Sequence, residues 1–158
     1  VGPAFHTTPV AHAGLVYFGD RDARAVRLDA AFKDAEVWSG SMSADVFGSP
    51  LLHEGLFFSA TGKGELFAYD AEGVAVIDGR TLFGDDTLGD AVYSSVTLAG
   101  KHLFLGSNLG EMVVFEATRE AKLVARNKLK AGSGASPVFG GSDLYLRDGE
   151  TLYCIGGR

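Results

Sequence analysis

The 158-residue sequence has few of the residues that mark disulfide-bonded, metal-bound or membrane-spanning proteins. Cys154 is its one cysteine, so an internal disulfide is impossible and no zinc-type Cys/His spacing occurs. The apolar neighbours of Cys154 predict a small core residue. No apolar run reaches the roughly 18 residues of a spanning helix. Basic residues number 14 against 20 acidic ones, and the net charge of −6 disfavours binding to nucleic acid or to an anionic membrane.

Motifs of catalysis are also missing. The segment "TGKGE" (Thr61–Glu65) lacks the spacing of a phosphate-binding loop, and no GxSxG, HExxH or dinucleotide-binding fingerprint occurs. His12 and His53 occupy equivalent places in two repeats, and we interpret them as solvent-facing turn residues rather than metal ligands. The sequence therefore names no catalytic residue and no metal ligand, and an enzyme is not the expectation.

Four copies of one pattern fill the chain. Pro9, Pro50, Val96 and Pro137 mark the same place in each copy, at spacings of 41, 46 and 41 residues. A period in the forties is typical of β-propellers, although helical arrays share it. In each copy, short runs rich in aromatic and β-branched residues are bounded by glycine, which favours strands. The repeat therefore predicts an all-β protein.

Each copy is predicted to be an antiparallel meander. Its second and third strands are joined by segments such as "ATGKGE" and "GSNLGE", whose Gly and Asn suit the positive φ of tight hairpins. Residues 35–42, 74–78 and 122–130 are candidate fourth strands. In the last of these, Leu123, Ala125 and Leu129 alternate with Lys and Arg, which suits an outermost strand with one wet side. The predicted blades are residues 5–42, 47–78, 93–130 and 135–158.

Two of the copies carry a family resemblance. "GSPLLHEGLFFSATGKGELFAYD" and "ASPVFGGSDLYLRDGETLYCIGG" resemble the repeat of the pyrroloquinoline-quinone-like (PQQ-like) β-propellers, the quinoprotein dehydrogenase superfamily. The resemblance covers essentially the whole chain and implies one β-propeller domain of four antiparallel blades over residues 1–158. Trp38 is the single tryptophan, so the blade-docking tryptophans of catalytic members are otherwise absent.

The resemblance also implies part of a larger ring. Quinoprotein propellers typically have eight blades, with the Ser-Pro-Val strand innermost and the Trp strand outermost. The sequence starts on an innermost strand and stops on a third strand. We therefore expect the carboxy-terminal half of an eight-bladed ring, or a half that pairs with a second copy of the chain. A closed four-bladed ring is the alternative.

For function, the sequence favours a non-catalytic scaffold that presents loops and a channel mouth to a protein or small ligand. No cofactor is expected in that case. The alternative is part of a dehydrogenase that depends on PQQ and calcium, although no residue can be assigned to either group. Family members of the scaffold kind imply a bacterial periplasmic or extracellular setting and a protein partner.

Candidate binding residues lie in loops that enter the inner strands or join second to third strands, which form the ligand face of the family. The longest, residues 78–92, offers carboxylates for a partner or Ca²⁺, without the spacing of an EF-hand. Hydroxyls just before the repeat anchors are expected to bond backbone between blades, and these belong to Thr8, Ser49, Ser95 and Ser136. The candidate partner-binding residues are Asp20, Arg21, Asp22, Lys63, Asp85, Asp86, Asp90, Asn108 and Arg147.

Overall fold

The computed structural model describes residues 6–29, 35–83, 91–130, 132 and 134–156, and the regular structure in these residues is entirely β. Its 15 strands form four antiparallel sheets in which consecutive strands are hydrogen-bonded neighbours. The first three sheets have four strands each, and the fourth has three among the described residues. The predicted all-β fold of four antiparallel sheets is confirmed.

Strand order follows chain order in every sheet. The first sheet contains β1 (Val10–His12), β2 (Leu15–Gly19), β3 (Asp22–Arg27) and β4 (Glu36–Ser41). The second contains β5 (Leu51–His53), β6 (Leu56–Ala60), β7 (Glu65–Tyr69) and β8 (Ala75–Thr81). The third contains β9 (Thr97–Ala99), β10 (His102–Gly106), β11 (Glu111–Glu116) and β12 (Leu123–Lys128). The fourth contains β13 (Val138–Gly140), β14 (Asp143–Asp148) and β15 (Thr151–Gly156).

Tight hairpins fix the same register in successive sheets. In the β1–β2 turn, Ala13 and Gly14 have φ of 49° and 79°, and the β5–β6 turn repeats this with Glu54 and Gly55 at 48° and 75°. Two consecutive positive φ values match the natural twist of the flanking strands. Val10 consequently pairs with Tyr17 just as Leu51 pairs with Phe58. Equivalent residues of different sheets therefore lie on equivalent faces.

The sheets pack face to face through two clusters of buried side chains. Phe57 belongs to the cluster between the first and second sheets, and Phe58 to the cluster between the second and third. Successive strand residues point to opposite faces, so these neighbours serve different interfaces. They are 1% and 0% exposed, which shows that the second sheet is covered on both sides.

Trp38 docks the first sheet onto the second. Its ring stacks on Tyr69, with centroids 5.6 Å apart, and meets Phe57 edge-on at 6.1 Å. The side chain is 7% exposed, and no described residue accepts a hydrogen bond from its Nε1. The single tryptophan thus has the blade-docking position that the resemblance implies.

The end of the stack formed by the fourth sheet is open among the described residues. Every residue of β15 is exposed, whereas β7 and β11 are mostly buried. Cys154 in β15 is exposed, so the prediction that it is a core residue is wrong, because no described sheet covers that strand. In the third sheet, β12 is the outermost strand as predicted, but its expected dry side fails at Leu123, which is 46% exposed.

Candidate functional site

One side of the stack, which we call the loop face, is made of loops entering the inner strands and turns joining second to third strands. Backbone hydrogen bonds connect these segments to one another. The Val46 N–H donates to the Asp20 carbonyl at 2.9 Å, which ties the second sheet to the first. The Gly62 N–H donates to the Asp45 carbonyl at 2.7 Å, which ties the β6–β7 turn to the segment before β5. The loop face comprises residues 6–8, 20–21, 43–49, 61–64, 91–95, 107–110 and 134–136.

A hydroxyl ladder crosses the loop face from sheet to sheet. The backbone N–H of Thr8 donates to Ser49 Oγ at 3.0 Å, and the Ser49 N–H donates to Ser95 Oγ at 3.0 Å. The Ser95 N–H then donates to Ser136 Oγ at 2.8 Å. Each residue lies one position before its repeat anchor. The prediction that these hydroxyls bond backbone between blades is confirmed for Ser49, Ser95 and Ser136, whereas Thr8 takes part through its N–H.

A row of three rings lies on the loop face at another repeated position. His6, Phe47 and Tyr93 each stand three residues before their anchor, in the first, second and third repeats. Both neighbouring pairs have ring centroids 5.2 Å apart. Tyr93 is 50% exposed, so the row meets solvent. We call these three residues the aromatic row.

Sequence reasoning missed the aromatic row. Alignment of the four copies at their anchors would have revealed it, because the rings occupy equivalent positions. The fourth copy has Gly134 there, and a Cβ on Gly134 would lie 3.2 Å from the Tyr93 ring. The row therefore ends where the ring of Tyr93 fills the space of a fourth side chain.

An open cavity of about 270 Å³ adjoins Phe47 between the first and second sheets. Arg21 and Asp45 form one wall, where Arg21 Nε donates to Asp45 Oδ1 at 2.6 Å. This bond is the main reason that the pKa of Arg21 is raised. Lys63 also lines the cavity, and no described residue forms an ion pair with it. The cavity thus offers an aromatic ring beside two cations and one carboxylate.

Two of the predicted binding residues, Arg21 and Lys63, meet in this cavity. Asp20 and Asp22 flank Arg21 in the sequence, at the turn between β2 and β3. The carbonyl of Asp20 accepts the Val46 N–H, while the Asp22 carboxylate pairs with Arg24 at 2.9 Å. Of the side chains in this turn, Arg21 therefore faces the cavity.

Other predicted residues have different partners. Asn108 Oδ1 accepts the Ala91 N–H at 2.7 Å, which fixes the loop that enters the third sheet. Arg147 Nε donates to the carbonyl of Gly149 at 2.9 Å, within the β14–β15 turn. Asp85, Asp86 and Asp90 lie outside the described residues. Their role in binding stays a prediction, as it does for the other candidates.

The described residues bring together no group of three or more His, Cys, Asp or Glu side chains able to hold a metal ion.

A cavity of about 400 Å³ opens on the side opposite the loop face, where Arg119 pairs with Asp70 at 3.0 Å. The pKa of Asp70 is lowered, first by the Val74 N–H and further by Arg119. In the part of the chain that is described, no helix has the length and apolar character to cross a membrane.

Known proteins share this repeat and this fold. A family model described as "Outer membrane protein assembly factor BamB" matches residues 2–77. The crystal structure of BamB from Moraxella catarrhalis superposes with a TM-score of 0.66 at 18% identity, covering 94% of this chain and 44% of that one. Residues 2–77 carry PQQ-like β-propeller repeats, and the rest of the chain shares the fold. The predicted PQQ-like repeat is thereby confirmed.

Other solved structures share the fold in chains of different lengths. Quinohemoprotein alcohol dehydrogenase from Comamonas testosteroni matches with a TM-score of 0.64 at 16% identity, over 79% of this chain and 21% of that one. The computationally designed Ika4 protein matches with a TM-score of 0.73 at 10% identity, over 97% and 91%. No curated protein matches the sequence. This chain thus spans less than half the length of BamB and of the dehydrogenase, and forms a partial propeller relative to them.

Proposed function

We propose that this chain is a non-catalytic binding scaffold whose loop face and channel mouth receive a protein partner or small ligand. The aromatic row beside the cavity of Arg21 and Lys63 supports this most strongly. Aromatic and Arg side chains dominate the binding energy of many protein interfaces. Loops held by a rigid scaffold are common binding sites, and the backbone bonds of the loop face supply that rigidity. A protein is the partner we favour, because the cavity is open rather than enclosed.

The partial propeller supports a second element of the proposal, in which further repeats of the same kind complete the ring. They would come from a missing half or from a second copy of the chain. The matched part of BamB is somewhat under half of that protein, which agrees with a ring of about twice four sheets. Similarity to an outer membrane protein assembly factor further supports a bacterial periplasmic or extracellular setting.

Peptide display on the immobilised 158-residue chain tests the scaffold function. We expect selected peptides to bind the native chain and to lose about 30-fold in affinity with Tyr93→Ala, as for a hot-spot residue. Val124→Ala is the matched control, because Val124 is equally exposed at 50% but lies on β12, outside the loop face. Failure to enrich any peptide, or peptides that bind both variants equally, would contradict a binding role for the loop face.

Titration with PQQ and Ca²⁺ tests the dehydrogenase alternative. That function needs a planar quinone in the channel and a metal beside it, and the described residues assemble no metal-ligating group. We expect no saturable change in absorbance. A saturable change, accompanied by reduction of an artificial electron acceptor when an alcohol is added, would replace the scaffold proposal with the dehydrogenase.

A further inference from the structure

The hydroxyl ladder has two ends that complement each other. Its three bonds all run from a backbone N–H of one sheet to a hydroxyl oxygen of the next. At the first sheet, no described residue donates a hydrogen bond to Thr8 Oγ1. At the fourth, no described residue accepts one from the Ser136 N–H. The ladder therefore ends in a spare acceptor on one side and a spare donor on the other.

The outer face of the fourth sheet presents exposed apolar side chains around Arg147. In the second sheet, Phe58 points toward the third sheet, and its equivalent in the fourth sheet is Tyr145. Val138 pairs with Tyr145 and shares its face. Leu152 lies on this same face, through its pairing with Arg147 two residues along β14. Val138 and Leu152 are 60% and 69% exposed, because no described sheet covers them.

The outer face of the first sheet is the counterpart of this surface. In the second sheet, Phe57 points toward the first sheet, and its equivalent in the first sheet is Val16. Val16 pairs with Val26 on this face, and Arg24 lies beside them on β3. These three side chains are half-buried rather than buried. The face thus has an apolar centre that no described sheet covers, with the Arg24 side chain beside it.

The burial of the four anchor residues also indicates that no described sheet covers the first sheet. Pro50, Val96 and Pro137 are buried, and each belongs to a sheet with a described sheet before it. Pro9 is exposed, and it belongs to the first sheet. A neighbour that covered the first sheet as the first covers the second would bury Pro9.

We propose that a second copy of this chain seats its first sheet on the fourth sheet of this copy, so that the Ser136 N–H donates to Thr8 Oγ1 of the second copy. This rests on the part of the proposed function in which like repeats complete the ring, and it names the partner. A partner at this junction must supply a hydroxyl acceptor for the Ser136 N–H and apolar side chains for the outer face of the fourth sheet. The first sheet of this chain supplies both, through Thr8 Oγ1 and its own outer face. Two copies make two identical head-to-tail junctions, which close a ring if four sheets span half a turn.

Light scattering on a sizing column, applied to the unmodified chain, tests whether two copies pair. We expect a species of twice 16.6 kDa that dissociates on dilution. Thr8→Val removes the accepting hydroxyl and keeps the Thr8 N–H that bonds Ser49, whereas Thr8→Ser keeps both. Loss of one hydrogen bond at each of two junctions should weaken pairing about 5- to 150-fold in Thr8→Val. Thr8→Ser should pair as the native chain does.

A second pair of variants tests the apolar face. Leu152→Glu should give a folded monomer, whereas Val74→Glu, at a residue that is 57% exposed in the β7–β8 turn, should leave the dimer intact. The inference would be overturned if the native chain were a folded monomer. It would also be overturned if that monomer bound a separate polypeptide carrying further repeats. A dimer that tolerates Leu152→Glu would overturn it too. Peptide binding by a monomer would leave the scaffold function standing, and a dimer that enriches no peptide would contradict the scaffold function alone.

Discussion

Replacement of Trp38 tests how the first sheet is held on the second. The side chain is 7% exposed and contacts the rings of Tyr17, Phe57 and Tyr69. Loss of a buried tryptophan to alanine typically costs about 3–5 kcal/mol, and this site lies against other large rings that cannot collapse into the space. We therefore expect Trp38→Ala to lower Tm by roughly 6–20 °C in a domain of this size.

Trp38→Phe separates packing from hydrogen bonding at the same position. Phenylalanine keeps a ring against Tyr69 but loses part of the apolar area, at a cost of about 1–2 kcal/mol. It also removes Nε1, which has no acceptor among the described residues, and an unpaired buried donor costs about 1–3 kcal/mol. The two effects oppose each other, so the stability of Trp38→Phe should stay within about 1 kcal/mol of the native chain.

Urea unfolding followed by far-ultraviolet circular dichroism is the suitable assay, because both variants lack the single tryptophan and its fluorescence. All three proteins must be measured at the same dilution, since the proposed association would add to apparent stability. If Trp38→Phe lost as much stability as Trp38→Ala, then Nε1 would have a partner in the native protein, and the reasoning from an unpaired donor would be refuted.

Three further outcomes follow from the packing and the ionisable groups. Gly48→Ala should destabilise the chain by about 1–3 kcal/mol or more, because its Cβ would overlap a backbone carbonyl of the third sheet. Gly55→Ala has open space around its Cβ and should cost only about 1–2 kcal/mol, which is the strain of its φ of 75°. Urea unfolding measures both costs. Burial raises the pKa of Tyr69 to about 12, so its phenolate should form only toward pH 12 in an absorbance titration. Its contribution to stability, complete below the unfolded pKa near 10, should be lost as pH rises toward 12. The lowered pKa of Asp70 means that its carboxylate stabilises the fold above its ordinary pKa, and this stabilisation is lost as pH falls through the folded value. In urea unfolding near neutral pH, Asp70→Ala should therefore lower stability more than Arg119→Ala, because a backbone N–H is the larger cause, and the deficit should shrink in acid.

The repeat made much of the fold predictable from sequence. Four copies with glycine-bounded apolar runs gave the strands, and the fourth strands fell close to the expected segments. Cys154 was mispredicted because apolar neighbours in sequence indicate burial only when another sheet covers the strand. Exposure of Leu123 was missed for a related reason, since alternation along a strand cannot reveal whether its dry face has a neighbour.

The candidate site was less predictable. Arg21 and Lys63 were both expected to bind, but their meeting in one cavity depends on how closely the first two sheets pack. Asn108 was also expected to bind, although its side chain holds the backbone at Ala91. A polar loop residue serves a partner or its own fold according to which backbone groups lie within hydrogen-bond distance, and this distance is set by tertiary packing.

The sequence by itself determined the repeat, the antiparallel strands and the kinship with PQQ-like propellers, because these depend on local periodicity and turn chemistry. It also indicated the hydroxyls of the ladder through their fixed place in each copy. Only the tertiary structure decided that the ladder runs in one direction, that His6, Phe47 and Tyr93 form one row, and that no described sheet covers the end faces. These properties arise from side chains that are some 40 residues apart in sequence and meet only when the sheets stack.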